Sequence, residues 1–296
     1  MRQHSLRRYL GVALGSVLLA ALSGCSPLTL LNTFTPDSTF ERTEGIAYGS
    51  DPRQKLDVYV PRAPVTDAPV VVFFYGGSWN SGSRADYRFV GEALASRGIV
   101  AVVADYRLYP QVRYPAFLED GAQAVAWTQA HIRQFSGDPK RLYLMGHSSG
   151  AYNAAMLALD PRWLAAVGMS PNDLRGWIGL AGPYDFLPIE NPDVQPVFFF
   201  PNSPPDSQPV NHLSAQSPPA LLMAAADDKL VDPNRNTAGL ARGLREVGVP
   251  VQDLYFSRTN HGTLVAALSR PLRGLAPVLD QISGFIKATP VSARDR

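Results

Sequence analysis

The sequence has a single cysteine in 296 residues, Cys25, so no disulfide can form within one chain and cystine bonds cannot contribute to its stability. It has no uninterrupted apolar run of the roughly 18–20 residues that a membrane-spanning helix requires. It also lacks a charge excess of either sign, with 27 basic against 25 acidic residues and a net charge of +2. Three of the basic residues, Arg2, Arg7 and Arg8, sit at the N-terminus, where no acidic residue accompanies them. Without them the balance is 24 against 25, a net charge of −1, which argues against a polyanion-binding surface and a nucleic-acid partner. There is no internal repeat and no disorder-type composition. What remains is 46% hydrophobic and 10% aromatic, enough for one sizeable core.

The N-terminal segment reads as a leader. Behind the basic head comes a short apolar run, Leu10 to Leu22, ending in Leu22-Ser23-Gly24-Cys25. This ending resembles the lipobox of bacterial lipoproteins, which are cut before the cysteine and acylated on it. By that resemblance residues 1–24 are a lipoprotein signal peptide and Cys25 is the lipidation site. Ser26, rather than Asp, follows the cysteine, which implies the outer membrane of a Gram-negative cell envelope. Residues 25–43 are polar, contain Pro and Thr and show no periodicity, as expected of a tether.

From residue 44 to about 290 the chain alternates short apolar runs with longer helical stretches. Lys55–Val60 alternates as a strand does, and Pro69–Phe74 and Ile99–Ala104 are continuous apolar runs suited to strands covered on both faces. Arg141–Met145, Trp177–Leu180, Ala220–Ala226 and Val251–Phe256 read as further strands. Helices are expected at Tyr87–Ala95, Phe117–Phe135, Ala151–Leu159, Asn234–Val247 and Leu264–Lys287. Repeated alternation predicts an α/β fold with a mostly parallel sheet and helices on both faces. Residues 183–219 break the rhythm. They are dense in proline, carry the block Phe198-Phe199-Phe200 and suit a lid, a pocket wall or a packed surface excursion.

Chemistry concentrates at Gly146-His147-Ser148-Ser149-Gly150, between a strand and a helix. A serine on so sharp a turn projects its Oγ above the sheet, flanking glycines let strand and helix approach, and the helix N-terminus favours developing negative charge. A serine hydroxyl needs a base to take its proton. In this strand–turn–helix arrangement the chain order is Ser, then Asp or Glu, then His. His4 lies in the leader, His131 precedes the serine, His147 is inside the turn and His212 precedes the plausible acids. His261, in Thr259-Asn260-His261-Gly262-Thr263 beyond the last strand, remains. The acid belongs after Ala220–Ala226, where Asp227 and Asp228 stand side by side. An oxyanion hole would draw one N–H from Ser149 and another from the glycine-rich loop Tyr75-Gly76-Gly77-Ser78-Trp79.

Together with Ala104-Asp105-Tyr106-Arg107-Leu108-Tyr109-Pro110, Phe135–Pro139 and Gly182-Pro183-Tyr184-Asp185, these motifs resemble the carboxylesterase/lipase branch of the α/β-hydrolase superfamily. The similarity is to hormone-sensitive-lipase-like, feruloyl-esterase-like and kynurenine-formamidase-like members, over Glu44 to Lys287. It implies an eight-stranded sheet and acyl hydrolysis with no metal or organic cofactor. The family pattern Asp-x-x-Val-x-Pro selects Asp228, with Val231 and Pro233, over Asp227. The family's His-Gly-Gly-x-Trp loop assigns Gly77 and Ser78 as oxyanion donors, with Gly76 as a further candidate. Tyr75 replaces the usual His, a departure that bears on loop support. Asp105 and Arg107 are read as supports of that loop.

The expectation is therefore a serine hydrolase acting on a small-molecule carboxylic ester through an acyl-enzyme on Ser148, held to a membrane through Cys25. Alternatives on the same fold are an amide or formamide hydrolase and a deacetylase of envelope sugars. From a different class, a non-catalytic binding lipoprotein remains, favoured only by Tyr75.

Overall fold

A computed structural model describes residues 27–289. The leader read at residues 1–24 and the lipidation site Cys25 lie outside the described residues. The described residues form one eight-stranded sheet: β1 Phe40–Ala47, β2 Lys55–Pro61, β3 Ala68–Phe74, β4 Val100–Ala104, β5 Gly137–His147, β6 Leu174–Leu180, β7 Ala220–Ala225 and β8 Val251–Phe256. The spatial order is β1-β2-β4-β3-β5-β6-β7-β8. The β1–β2 and β2–β4 pairs are antiparallel and all later pairs parallel.

The continuous apolar runs do what their composition predicts. Val70 to Phe74, all of β4 and all of β7 are buried, because helices cover both faces of the central strands. The helices are α1 Pro27–Thr33, α2 Arg88–Ala95, α3 Ala116–His131, α4 Ser149–Leu159, α5 Pro161–Ala165, α6 Gly239–Glu246, α7 His261–Ala266 and α8 Val278–Ala288. Helix α4 runs through the middle of the domain and every one of its residues is buried. Among the described residues no helix is long and apolar enough to cross a membrane.

Three sequence expectations need correction. The stretch read as a tether to Thr43 is structured from Pro27 onward: α1 packs beside Arg84–Tyr87, where Asn32 Nδ2 donates to the Ala85 carbonyl at 2.8 Å, and β1 begins at Phe40. Strand β1 gives no periodic signal because it lies at the sheet edge, held chiefly by backbone pairing, with Phe40 its only buried residue. The domain therefore starts well before residue 44. The single helix expected over Leu264–Lys287 is instead α7, a 3₁₀ turn at Arg270–Leu272 and α8. Pro271 and Pro277 explain the break, since neither can donate an intrahelical hydrogen bond. Residues 183–219 contain only 3₁₀ turns, and their role emerges at the site.

The loops that carry the expected nucleophile, acid, base and oxyanion donors leave the carboxyl ends of β3, β5, β7 and β8. In an open α/β sheet that edge is where ligands bind.

Candidate active site

Ser148 occupies the one-residue junction between β5 and α4, with φ 55° and ψ −124°. For a residue with a Cβ this is a strained conformation, costing roughly 1–3 kcal/mol. Its surroundings enforce it: Ser148 N donates to the Leu180 carbonyl at 2.8 Å, and the Ser148 carbonyl accepts from Ala151 N at 2.9 Å. The flanking glycines make the turn possible. A Cβ on Gly146 would lie 2.1 Å from the Gly150 carbonyl oxygen, and one on Gly150 would lie 2.0 Å from the Phe74 carbonyl oxygen. Both contacts are with backbone, which cannot swing aside. Gly150→Ala is therefore expected to yield insoluble or unfolded protein, as read by soluble expression and circular dichroism.

From Ser148 a hydrogen-bonded chain runs across the site. His261 Nε2 lies 2.9 Å from Ser148 Oγ, and His261 Nδ1 lies 2.8 Å from Asp228 Oδ2. Asn260 caps α7 by accepting from Thr263 N at 2.9 Å, which fixes the backbone from which the His261 ring projects. The second oxygen of Asp228 accepts from Leu230 N at 2.9 Å and Val231 N at 3.2 Å. Burial alone would raise the Asp228 carboxyl, but the hydrogen bond and charge of His261, with the two backbone N–H groups, hold it below its ordinary value. It is thus ionised near neutrality, and its contribution to stability is lost only as pH falls below the usual carboxylate range. Asp227 points the other way, with an exposed side chain paired to Lys229. The structure brings Ser148, His261 and Asp228 together and leaves Asp227 outside.

The loop after β3 arches over the serine. Gly77 has φ 134°, and Ser78 and Trp79 have φ 51° and 58°. A Cβ on Gly77 would meet the Ser81 carbonyl oxygen at 2.3 Å, so only glycine fits. Ser78, Ser148 and Ser149 line one cavity together, and Gly76, Gly77, Ser78 and Ser148 line a second. The residues expected to supply oxyanion N–H groups therefore all border the serine. Trp79 anchors the loop, its Nε1 donating to Asn153 Oδ1 of α4 at 3.0 Å. Asn153 had no distinguishing signal in the sequence.

Tyr75, the departure from the family pattern, is fully buried. Its hydroxyl donates to Asp105 Oδ1 at 2.8 Å and accepts from Arg53 Nη2 at 2.7 Å, and its carbonyl accepts from the Tyr106 hydroxyl at 2.7 Å. Asp105 is further bound by Arg84, through the backbone N–H and the guanidinium, and Arg84 Nε also donates to Asp57 at 2.8 Å. Tyr75 and Asp105 thus fasten the oxyanion loop from behind, while Arg107 forks onto buried Asp120. Tyr75→Phe is expected to cost about 1–3 kcal/mol, because it strips a buried carboxylate and a guanidinium of a partner. Denaturant unfolding measures the loss.

His147 lies beside the base, its ring centroid 5.0 Å from that of His261. Its Nε2 is 2.9 Å from the His261 carbonyl, while its Nδ1 is buried without a partner. Burial and the nearby His261 lower its pKa from 6.5 to about 3, so the ring is neutral in the folded protein. An unfolded chain binds the proton that the folded one refuses. Stability should therefore fall as pH drops below 6.5, with the loss complete near 3. His147→Gln is expected to flatten Tm against pH across that interval.

The remaining histidines of the described chain lie elsewhere: His131 stacks on Trp127, and His212 approaches Asp160. Among the described residues no group of three or more His, Cys, Asp or Glu side chains is placed to hold a metal ion.

The larger cavity, of about 580 Å³, opens on Ser148 and His261. Residues 183–194 form one wall, through Phe186, Ile189 and Val194, and residues 229–236 another. Asn236 Oδ1 ties the walls together, accepting from Tyr184 N at 2.6 Å and Asp185 N at 2.9 Å. Arg235 adds an ion pair to Asp185 at 2.9 Å. The first part of the proline-rich excursion is thus a pocket wall. Phe198, from its middle, packs on Trp79 beneath the loop.

Comparison with known proteins places this geometry. Residues 56–193 match a protein-family model described as BD-FAE. The chain is 28% identical over 297 residues to the probable isoprenylcysteine alpha-carbonyl methylesterase ICMEL1 of Arabidopsis thaliana, covering 91% of this chain and 62% of that protein. The chain thus spans less than two thirds of that relative's length. Among solved structures, a mutant of esterase rPPE superposes with a TM-score of 0.67 at 25% identity, over 92% of this chain and 95% of that one. An esterase from Pyrobaculum calidifontis shares the fold, with a TM-score of 0.72 at 23% identity over 90% of each chain.

Proposed function

We propose that the chain is a member of the carboxylesterase branch of the α/β-hydrolase superfamily, a serine carboxylic-ester hydrolase working through an acyl-enzyme. The observation that carries the reading is the continuous chain Ser148–His261–Asp228 at 2.9 and 2.8 Å. Ser148 Oγ attacks the ester carbonyl carbon as His261 Nε2 takes its proton. Asp228 holds the tautomer with Nδ1 protonated and stabilises the imidazolium. Negative charge on the former carbonyl oxygen is met by the N–H groups of Ser149 and of Gly77 or Ser78. The C–O bond breaks and the leaving alkoxide takes the proton from His261. Water then repeats the sequence, with His261 as base, to release the acid and restore Ser148.

The ester reading is supported by the methylesterase and the esterase among the similar proteins. An amide or formamide hydrolase and an envelope-sugar deacetylase would use the same three residues, and the pocket walls decide between them. The leader and Cys25 support a lipid-anchored protein of the cell envelope, on the outer membrane of a Gram-negative bacterium.

Presteady-state hydrolysis of nitrophenyl acetate by the purified chain tests the reading. A burst of nitrophenol equal to the enzyme concentration, followed by slower turnover, is expected. Faster release from formylkynurenine or an acetylated sugar than from simple esters would move the assignment to one of the alternatives. No turnover of any acyl substrate would return the non-catalytic reading.

A further inference from the structure

Two cavities meet at the nucleophile. Both are bordered by Ser78, Ser148, Leu230 and His261, and they differ in chemistry. The larger carries the charged groups Asp185, Glu190, Asp232 and Arg235 beside its apolar wall of Phe186, Ile189 and Val194. The smaller, of about 440 Å³, takes its apolar lining from Leu28, Tyr87, Leu230 and the Gly76–Gly77 backbone, with Ser81 and Asp86 as its polar groups besides those of the catalytic site. Leu230 is 77% exposed, an unusual place for an apolar side chain, and it overhangs both. Leu28 comes from α1, the helix that the sequence alone read as tether.

That position has a geometric consequence. Leu28 is three residues from Cys25, a separation of at most roughly 11 Å of chain. A domain of this size is roughly 45 Å across. If Cys25 carries the lipid, the bilayer surface lies next to the cavity that Leu28 lines, on the substrate side of the sheet. The outer side of α1 and the turn after it are suited to that contact: Leu30 in the helix and Phe34 just beyond its end are 45% and 64% exposed, while Leu31 packs against the core. Side-chain bonds hold the helix in this orientation, from Asn32 Nδ2 to the Ala85 carbonyl at 2.8 Å and from Phe89 N to Asn32 Oδ1 at 3.2 Å.

We propose that the mouth between Leu28 and Leu230 abuts the lipid surface and takes amphiphilic esters from the bilayer. The hydrocarbon portion enters the smaller cavity and the polar remainder lies against the charged groups of the larger. This rests on the readings of Ser148 as nucleophile and Cys25 as lipidated, and it adds the source and class of the substrate.

The test uses the full-length lipidated protein reconstituted in vesicles of phosphatidylethanolamine and phosphatidylglycerol. Two probes are compared, nitrophenyl palmitate dissolved in the bilayer and nitrophenyl acetate in the buffer. Cys25→Ser is expected to lower palmitate turnover at least about ten-fold, since the site is no longer held at the surface, and to leave acetate turnover within about two-fold. In the anchored protein, Leu28→Ser and Leu230→Ser should each lower the palmitate-to-acetate ratio by about ten-fold through lost apolar contact. An unchanged ratio in both leucine variants, or undiminished palmitate turnover by Cys25→Ser, overturns the proposal. So does an intact-protein mass without acyl chains on Cys25, even with acetate turnover intact. Dimerisation of Cys25→Ser through α1, seen by sedimentation, would assign that face to a second copy and also overturn it. Absence of acetate turnover from every form is the distinct failure of the Ser148 reading.

Discussion

Replacing Ser148 with alanine is expected to lower kcat on a nitrophenyl ester by about 10⁵- to 10⁶-fold, because the atom that forms the acyl bond is gone. Turnover should not fall to the uncatalysed rate. The N–H groups of the loop Gly76–Trp79 and of Ser149 still surround the carbonyl oxygen, and such groups with substrate binding alone can retain about 10³-fold over water. The fold should be untouched. Alanine meets the same backbone strain as serine at φ 55°, and the bonds that enforce it, from Ser148 N to Leu180 and from Ala151 N back to Ser148, are made by the main chain. A melting temperature matching that of the native protein confirms that only chemistry was removed. An alanine variant retaining more than about one part in a hundred of native kcat would exclude Ser148 as the nucleophile.

Asp228→Asn is expected to cost about 10⁴-fold in kcat, and the geometry shows why. Asp228 Oδ1 accepts from Leu230 N and Val231 N, so an asparagine must place its carbonyl oxygen there. Its amide nitrogen then faces His261 Nδ1, a donor toward an atom that itself donates to the carboxylate in the native protein. The ring escapes by moving its proton to Nε2, which presents N–H rather than a lone pair to Ser148 Oγ and so no longer serves as base. Asp227→Asn is expected to leave kcat within about two-fold, since its carboxylate is exposed and bound only to Lys229. Steady-state rates of the two neighbours, measured side by side, separate them. Equal losses would mean that the carboxylate acts through general charge rather than through the tautomer.

Much of this site was legible in the sequence because its parts depend on short-range rules. The strand–turn–helix context of Ser148 can be read from five residues, and chain order eliminates every histidine but His261. Family register favours Asp228 over its neighbour, and the structure brings Asp228 to the imidazole at 2.8 Å. The continuous apolar runs made β3, β4 and β7 legible, since strands covered on both faces need no alternation. Strand β1 was not legible: Phe-Glu-Arg-Thr-Glu-Gly-Ile-Ala pairs by backbone at a sheet edge, and its side chains carry no burial signature. Helix α1 was hidden for a similar reason, since seven residues beginning at a proline show too little periodicity, and tertiary contacts from Leu28, Thr29, Leu31 and Asn32 hold it. The meeting of Leu28 with Leu230, about two hundred residues apart in sequence, is a product of the fold. So is the pairing of Asn153 with Trp79, which needs the loop after β3 to lie across α4. Tyr75 shows the limit of motif reading most directly. Counted as a departure from a pattern, it raised a non-catalytic alternative; in the folded chain its hydroxyl joins Asp105 and Arg53 and secures the loop.

The most direct measurement is covalent labelling of the folded, full-length protein with a fluorophosphonate, followed by mapping of the modified peptide. One adduct per molecule, on Ser148 alone, is expected, with labelling slowed severely in His261→Ala and unaffected in Asp227→Asn. Absence of an adduct on Ser148 in protein whose fold is verified, or an adduct on Ser149 or another residue instead, would contradict the assignment of Ser148 as the nucleophile.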